Sequence, residues 1–479
     1  MDSSEQMTEV KRFLRQKVRT DIVAEYDQMI DELPDDIKCF EEAEQHLRKG
    51  TLKIAGKLLQ CWVEVAERNL DIPLCTKCKK KMRHRGLRER TITTTIGDVK
   101  FKRPRYICEK CGETIYPHDA AAAFLAHGVS GTLAKVVARL GADRPFDQAV
   151  EYLEEDYDLH LSKQTVRKIT EDAGTHILVE EDAARDAVWK QTPGDRANAL
   201  TCTHVDLFDV GVVTCDGTTV HLRETPAYLS ETSGKKSDWR EVRVGNVSVG
   251  NFLEGEKIAS DKERGNNFRM DVKRSETFAR FESVEDVGRD LYMRAVSAGY
   301  FQTRLRCFVS DGATWLRTVA EEQFPDAILI LDWYHAMEYV GDLATEVFGQ
   351  GTAQAKRWIA ARETELWDGR VGAVLRAMKD LRGRDSLTGK QRDLLDRTIT
   401  YFTNNRDRMD YPRYRDLGLP IGSGRVEGLC KTLVGSRCKD SGMRRWTIRG
   451  SEGVLRIRAA RRDGVYKDTA DRSRLCESI

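Results

Sequence analysis

The stretch LRCFVSDG at residues 305–312 joins a short apolar run to an Asp-Gly pair, and VVTCDG at residues 212–217 repeats the pattern. Short apolar runs bounded by turn residues are typical of buried strands. A carboxylate at the end of such a strand can face a shared metal ion, because the glycine after it lets the backbone turn away. A single Asp-Gly pair is more often an ordinary turn. Two pairs after similar strands together predict Asp216 and Asp311 as paired ligands of Mg²⁺.

A third carboxylate is needed, since Mg²⁺ binds a few carboxylates together with water and phosphate oxygens. Glu427 is the best candidate, because its stretch, GLPIGSGRVEGLCKTLVGSRCKDSGMRRW (418–446), is Gly-rich and then helical and basic. Two ions about 4 Å apart would activate a nucleophile and stabilise the leaving oxygen of a phosphodiester. The competing carboxylates are Asp206 and Asp209 for the first position and Glu363, Glu365 and Glu452 for the third.

Two CxxC pairs flank a candidate β-hairpin. Residues 91–107, TITTTIGDVKFKRPRYI, are β-branched, and Gly97-Asp98 predicts the turn between two alternating runs. Four thiolates on two such pairs close on one tetrahedral ion, and Zn²⁺ suits four sulfurs. The site has no free position for water, so its single zinc is expected to be structural. The ligands would be Cys75, Cys78, Cys108 and Cys111.

Residues 130–174 predict three short helices, the last of which begins after the N-cap Ser162 and ends near Gly174. This last helix has the form of a recognition helix, with Val166 and Ile169 facing the core. The side chains expected to face a major groove are Lys163, Gln164, Arg167 and Lys168. A plain helical bundle is the alternative, and the neighbouring zinc ribbon favours a helix-turn-helix that binds DNA.

The rest of the chain divides into helical and strand-forming blocks. Residues 5–70 predict helices, either for simple packing or for dimerisation and end binding. From about residue 200 apolar residues recur at every second position, which predicts strands at 212–224, 240–252, 305–312 and 327–335. Residues 340–410 return to the spacing of helices. The expected domains are 1–70 (helical), 71–120 (zinc ribbon), 121–195 (helix-turn-helix) and 196–460 (catalytic), followed by a polar tail at 461–479.

Composition and charge favour a globular protein that contacts a polyanion. A chain of 479 residues is too long for one ordinary domain. Hydrophobic residues make up 40% and charged residues 33%, which is too apolar a composition for a disordered chain. Neither a long apolar run nor a signal peptide occurs, so a cytoplasmic location is expected. The net charge is only +2, but residues 79–105 carry eleven Lys or Arg against two acids, and residues 425–462 carry eleven against three. Two such segments favour nucleic-acid binding.

These motifs resemble those of the DDE transposases of bacterial insertion sequences, especially the Kra-type and Lre-type groups, which are related to Mutator-like elements of eukaryotes. The resemblance covers roughly residues 70–460. It is carried by the first Asp-Gly pair, SDGA, LDWYH, PIGSGRVE and SGMRRW, and upstream by RPRYICEKCG and SKQTVRK. It implies a ribonuclease H-like α/β core with an all-α insertion at about 340–410. Two Mg²⁺ or Mn²⁺ ions would be held there by Asp216, Asp311 and Glu427.

The resemblance also implies roles for residues beyond the three carboxylates. Asp332 and His335 match the DxxH motif of Mutator-like relatives, where it supports the core and the DNA end. Trp239 matches a WRE-type segment that follows the first aspartate. Arg444 and Arg445 in SGMRRW join the residues expected to bind DNA.

The expected function is therefore a DNA transposase that binds element ends, cuts strands by metal-assisted hydrolysis and joins the freed 3′ hydroxyl to target DNA. Its partner would be double-stranded DNA, bound by a homo-oligomer, at least a dimer, at the nucleoid of a prokaryotic cell. Two alternatives stay open: a non-catalytic DNA-binding regulator derived from a transposase, and a zinc-ribbon nuclease of repair or recombination. The presence of all three carboxylates argues against the regulator.

Overall fold

The structure, a computed structural model, is that of a mixed α/β protein. The residues it describes are 12, 15, 19, 22–33, 39–66, 72–117, 127–191, 207–223, 239–253, 270–442 and 446–467. The chain forms two compact units, one of Met1–Ile177 with Lys467–Ile479 and one of Leu178–Tyr466. None of the helices in these ranges is long and apolar enough to cross a membrane.

The first unit contains the predicted β-hairpin and a helix packed on it. Strands β1 (Arg83–Thr94) and β2 (Gly97–Ile107) pair antiparallel, and the short β3 (Thr114–Ile115) follows β2 in the sheet. Helix α1 (Phe40–Ala66) packs on β2, and its Val63 shares a small apolar core with residues of both long strands. The helix is therefore part of the core of the hairpin.

The hairpin turn lies earlier than the sequence predicts. Thr94 pairs with Gly97, so the two residues between them form the turn, and the predicted Gly97-Asp98 turn is wrong by two residues. Gly97 has φ +103°, which glycine adopts without strain, and it begins β2 directly after the turn. Asp98 belongs to the strand, where its carboxylate accepts a 2.7 Å hydrogen bond from the Thr93 hydroxyl.

Three helices follow, as predicted. They are α2 (Gly131–Asp143), α3 (Phe146–Tyr157) and α4 (Lys163–Trp189). The predicted cap of α4 is confirmed, because the Ser162 hydroxyl accepts a hydrogen bond from the Thr165 N–H at 3.1 Å.

Helix α4 is longer than predicted. It has 27 residues and passes through Gly174, where the sequence predicts its end. The apolar period continues beyond this glycine, and Ile177 and Leu178 are both buried. A glycine inside a helix costs about 1 kcal/mol, which the burial of two large apolar side chains offsets. The boundary between the two compact units falls inside this helix.

The second unit is built on a five-stranded mixed sheet in the order β6-β5-β4-β7-β8. Its strands are β4 (Val210–His221), β5 (Trp239–Phe252), β6 (Met270–Arg280), β7 (Leu305–Ser310) and β8 (Ile328–Leu331). β5 pairs antiparallel with both β4 and β6, whereas β4, β7 and β8 run parallel. The sequence predicts four of these strands and misses β6.

Strand β6 is missed because its sequence, MDVKRSETFAR, is charged or polar at most positions. It lies at the edge of the sheet, beside β5 alone. Charged side chains are common on edge strands, where they discourage pairing with another chain. Only its last residues, including Phe278 and Ala279, are buried.

Helices cover both faces of the sheet. One face packs against α5 (Val284–Ala298) and α6 (Thr314–Gln323). The other face packs against the helices of residues 333–416, which confirms the predicted helical block. These helices are α7 (Trp333–Phe348), α8 (Ala353–Trp367), α9 (Val371–Arg382), α10 (Gly389–Asn404) and α11 (Tyr411–Asp416).

After this helical insertion the chain returns to the sheet. Helix α12 (Gly424–Leu429) runs into a π-helical turn (Cys430–Gly435) and a short helical turn (Ser436–Cys438). Helix α13 (Ile448–Arg462) then packs against β6. π-Helical turns are rare, and those that occur often lie at functional sites. This return segment is therefore a candidate part of a functional site.

Candidate carboxylate and cysteine sites

Asp216 and Asp311 occupy matched positions on neighbouring parallel strands. β4 and β7 pair in one unbroken register, whose last pair is Thr214 with Val309. Each aspartate lies two residues beyond its own strand's member of that pair. Asp311 directly follows β7, as predicted, but Asp216 lies inside β4, which continues to His221, so the predicted strand end at the first Asp-Gly pair is wrong. Since neighbouring strands lie about 4.8 Å apart, the two aspartates stand side by side at this end of the sheet.

The two aspartates also belong to the same face of the sheet. Side chains alternate along a strand, so residues two or four apart share a face. Val212 on β4 and Val309 on β7 both belong to the core beneath the helical insertion. Asp216 and Asp311 therefore face the side that residues 333–416 cover.

Asp332 follows the next strand beside Asp311, but both of its carboxylate oxygens are hydrogen-bonded inside the protein. It follows β8, whose last residue pairs with the residue before Asp311. One of its buried oxygens accepts hydrogen bonds from the N–H groups of Tyr334 (2.6 Å) and His335 (3.0 Å), and the other accepts one from the Ser423 N–H. Asp332 therefore joins the start of α7 to the Gly-rich segment, which makes it a positioning residue.

The Gly-rich segment, residues 420–424, leads Glu427 to the same region. Its backbone is bonded to the start of α7. A side chain at Gly422 would place its Cβ 2.7 Å from the Tyr334 ring, so the close approach of the two segments requires glycine. Glu427 follows on α12, and its N–H donates to the Ser423 carbonyl at 3.3 Å.

A cavity of about 610 Å³ is lined by Asp216 and Glu427. Other side chains of its wall include Thr218, His335, Glu338, Cys430, Lys431 and Lys439. Asp311 is not part of the wall, and its carboxylate accepts a 2.9 Å hydrogen bond from the Ala313 N–H. Two of the three predicted carboxylates thus share one cavity, and the third lies beside Asp216.

The carboxylates act on one another electrostatically. Burial, and further the repulsion by Asp311 and Glu427, raise the pKa of Asp216, although the Gly217 N–H donates a 2.7 Å hydrogen bond to it. Burial and the Asp216 carboxylate also raise the pKa of the Cys430 thiol to about 12, its sulfur lying 3.9 Å from an Asp216 oxygen. Negative charge concentrated in this way favours the binding of a cation.

His335 presents an unused ring nitrogen at this cavity. Its Nε2 is buried and has no hydrogen-bond partner among the described residues, while its Nδ1 lies 3.3 Å from a carboxylate oxygen of Glu338. Its proximity to Asp216 acts to lower the pKa of that carboxyl. The imidazole thus lines the cavity with one nitrogen left without a protein partner among the described residues.

The oxygens of the three carboxylates lie farther apart than the ligands of a bound metal ion would. Within the described ranges, the four cysteines are the only group of three or more His, Cys, Asp or Glu side chains with the spacing of a metal site. Like charges repel one another unless a cation offsets the repulsion. Wider spacing is thus expected of three neighbouring carboxylates.

The competitors of Asp216 are placed differently. Asp209 precedes β4, at the opposite end of the strand from Asp216 and Asp311. Its carboxylate accepts a 3.1 Å hydrogen bond from the Phe252 N–H. Asp206 lies outside the described residues.

The competitors of Glu427 are not in the cavity wall. Glu452 accepts a 2.7 Å hydrogen bond from the Phe281 N–H, beyond the end of β6. Glu365 pairs with Arg362 on the same helix, α8, which also carries Glu363. Of the four glutamates, only Glu427 lies beside Asp216.

The four predicted zinc ligands form one cluster beside the hairpin. Their sulfurs all lie within 4.8 Å of one another in the set Cys75, Cys78, Cys108 and Cys111. The two CxxC loops share one backbone form, because the residue after each loop donates its N–H to the carbonyl of the first cysteine. These residues are Lys79 and Gly112, with φ +56° and +74°. The cluster is compatible with a structural Zn²⁺ site.

Glu113 is a neighbour of this cluster that the sequence analysis misses. Its carboxylate accepts hydrogen bonds from the Cys75 thiol at 2.8 Å and the Thr76 N–H at 2.9 Å. Burial, and then this bond, raise the pKa of Cys75 to about 12, whereas the Cys111 N–H lowers the pKa of Cys108 to about 7. Zinc requires thiolates, so its binding would displace protons and weaken as the pH falls.

The predicted recognition residues lie at the start of α4. Val166 and Ile169 are buried, as predicted. The predicted groove-facing residues are exposed or half-buried: Lys163, Gln164, Arg167 and Lys168. Lys163 pairs with Asp147 at 3.0 Å, an exposed contact that a phosphate could replace.

The second basic segment is partly internal. Arg437 is fully buried, and its guanidinium lies 4.8 Å from the ring centre of the buried Trp446. Arg456 pairs at 2.6 Å with Glu181, an acid far away in the sequence. These two arginines therefore stabilise the fold and are not available to a polyanion. Arg444 and Arg445 lie outside the described residues.

Trp239, at the start of β5, is half exposed. Its ring meets that of His221 edge-on across the strand pair, at 5.3 Å between centres. The contact places Trp239 at the end of β4 that follows Asp216.

Comparison with known proteins adds no family: no family model matches the chain, and no curated protein matches it. The side chains offer four soft sulfur ligands in the first unit and a set of hard oxygen ligands in the second.

Proposed function

We propose that the chain is a DNA transposase of the DDE type, which cleaves DNA at element ends and joins the freed 3′ hydroxyl to target DNA. The observation that carries the proposal is the matched register of Asp216 and Asp311 on one face, with Glu427 lining the same cavity as Asp216. The strand order, three antiparallel strands continued by two parallel ones, supports the ribonuclease H-like core that the resemblance implies.

The residue types would suit a pair of hard divalent cations. Asp216, Asp311 and Glu427 offer carboxylate oxygens, and the repulsion between them leaves negative charge for cations to offset. Two Mg²⁺ or Mn²⁺ ions would supply activation of the attacking hydroxyl and stabilisation of the leaving oxygen. The chain itself holds the ligands in place, the aspartates through the sheet and Glu427 through the bonds of Asp332 to the Gly-rich segment.

The first unit would hold the DNA. A structural zinc would hold the basic hairpin in shape, and the start of α4 presents polar and basic side chains suited to a groove. Phosphate contacts would come from the hairpin, and base contacts from α4. A homo-oligomer is expected, since two element ends must be joined in one reaction.

The carboxylates give the direct test. Asp216→Asn, Asp311→Asn and Glu427→Gln nearly keep side-chain volume while removing charge, so the variants should fold and bind end-containing DNA like the wild type. Cleavage should fall by several orders of magnitude in each, and the losses should not multiply in double variants, because residues that act as a unit are not additive. Cleavage assays paired with gel shifts measure both properties.

The control is Glu452→Gln, which removes a competing glutamate that bonds elsewhere. Wild-type cleavage by any of the three variants would remove that residue from the site. A 3′-hydroxyl strand-transfer assay separates a transposase from a nuclease that only hydrolyses. Terminal inverted repeats in the DNA that flanks the gene would independently support the proposal.

A further inference from the structure

Two lysines share the cavity with the carboxylates. Lys431 and Lys439 line the same wall as Asp216 and Glu427. Neither lysine forms an ion pair with a carboxylate among the residues that the structure describes. The wall also carries Glu338 and Asp440, and because the lysines bond to none of these carboxylates, both ammonium groups are available to an anion that enters the cavity.

Lys439 is held in a fixed place. Its ammonium donates a 2.6 Å hydrogen bond to the Thr218 hydroxyl. Thr218 lies two residues beyond Asp216 on β4, on the same face, at about 6.6 Å along the strand by strand geometry. The hydroxyl is a neutral acceptor that orients the ammonium without cancelling its charge.

Lys431 approaches the cavity from the return segment. It follows Glu427 by four residues and lies in the π-helical turn Cys430–Gly435 that continues α12. Lys431 is exposed, whereas Lys439 is half-buried, and both line the cavity. The two lysines thus bring positive charge to one cavity.

We propose that Lys439 and Lys431 form a phosphate subsite, which holds the backbone of the DNA strand next to the phosphodiester to be cut. The inference rests on the proposed function and names residues that bind its substrate. Carboxylates alone would repel a polyanion, whereas ammonium groups are good point-charge partners for phosphate. The lysines would set which phosphodiester comes to lie beside the carboxylates.

The test compares Lys439→Met and Lys431→Met with Lys356→Met, which removes an exposed lysine on α8 outside the cavity wall. DNA affinity is measured against salt in the Glu427→Gln background, and kcat and KM are measured with Glu427 intact. Each cavity variant should lower the slope of log affinity against log salt by about 0.9, as expected for one lost phosphate contact. It should also lower kcat/KM about 10-fold or more, while Lys356→Met changes neither.

Lys439→Arg retains the charge and should restore the slope, which excludes a purely structural effect. Slopes and kcat/KM values equal to those of Lys356→Met in both cavity variants would overturn the subsite. That failure is separate from failure of the proposed function, which would appear as cleavage that survives Glu427→Gln alone. If Lys439→Met does not fold, the same comparison is made with Lys439→Gln and Lys431→Met.

Discussion

At the scale of single residues, the site retains an unfavourable charge. Asp216 is partly buried beside Asp311 and Glu427, and its pKa is raised although the Gly217 N–H bonds to it. An acid with a raised pKa is more easily charged in the unfolded chain than in the folded one. The ionised carboxylate therefore lowers the free energy of unfolding, as expected of a group kept for chemistry.

Asp216→Asn should raise the melting temperature at pH 8, in buffer without added divalent cations. The gain should shrink as the pH falls through the raised pKa of Asp216 towards the ordinary value of about 4, because the wild-type carboxyl becomes neutral there. Thermal unfolding over a pH series from 8 down to about 4 measures both.

The matched control is Asp396→Asn. Asp396 is exposed and bonds to Arg382, which lowers its pKa, so its removal should leave stability unchanged or reduce it slightly. A lower melting temperature for Asp216→Asn than for the wild type at pH 8 would contradict the assignment of a destabilising charge.

At the scale of elements, the helical insertion reaches the site through α10. The Tyr401 hydroxyl donates a 2.7 Å hydrogen bond to the Asp311 carbonyl, and the Tyr401 ring stacks on Tyr339 at 4.0 Å. Gly312 has φ +92°, and a side chain there would come within 2.8 Å of the Tyr401 ring. The turn that carries Asp311 is therefore clamped between its strand and the insertion.

Tyr401→Phe should raise the Mg²⁺ concentration needed for half-maximal cleavage and lower kcat about fivefold, since one hydrogen bond contributes about 1 kcal/mol. DNA affinity should not change. Titration of cleavage with Mg²⁺ measures the effect.

Tyr414→Phe is the control, because its hydroxyl bonds in the same way to the Leu329 carbonyl, away from the carboxylates. Tyr414→Phe should lower the free energy of unfolding about as much as Tyr401→Phe does, since each variant loses one hydrogen bond. It should leave the Mg²⁺ dependence of cleavage unchanged. Identical Mg²⁺ curves for Tyr401→Phe and Tyr414→Phe would show that α10 does not position Asp311.

At the scale of the whole molecule, two compact units carry two kinds of ligand. The cysteine cluster belongs to the first unit and the carboxylates to the second. The hairpin beside the cysteines has only a small apolar core of its own. A structural zinc contributes folding free energy directly, so the first unit should depend on the metal much more than the second.

One equivalent of zinc per chain should copurify, and Cys75→Ser or Cys108→Ser should release it and weaken DNA binding. Hydrogen exchange should accelerate in residues 72–117 of these variants, while residues 305–335 keep wild-type exchange. Cys39→Ser, which changes an exposed cysteine outside the cluster, is the control. Purified protein without zinc by elemental analysis would refute the site.

Much of the local structure follows from neighbouring residues alone. The β-hairpin, the cap at Ser162 and the strands that contain or precede the Asp-Gly pairs are encoded by periods of two or 3.6 residues and by turn chemistry, which act over a few positions. The cysteine spacing likewise predicts its cluster. The edge strand β6 is the exception, because its polar sequence is tolerated only where a sheet ends.

Other features depend on residues that are distant in the sequence. Arg456 belongs to a segment that the sequence predicts to bind a polyanion, and only the fold shows that it pairs with Glu181 instead. Asp332 is expected to support the core, and only the fold shows that it does so through the Ser423 N–H. The nearness of Asp216 and Asp311 depends on the register of β4 with β7, and that of Glu427 on the bonds between the Gly-rich segment and α7. Periodicity specifies which face of an element is buried, whereas register and long-range ion pairs are set only when the elements pack together.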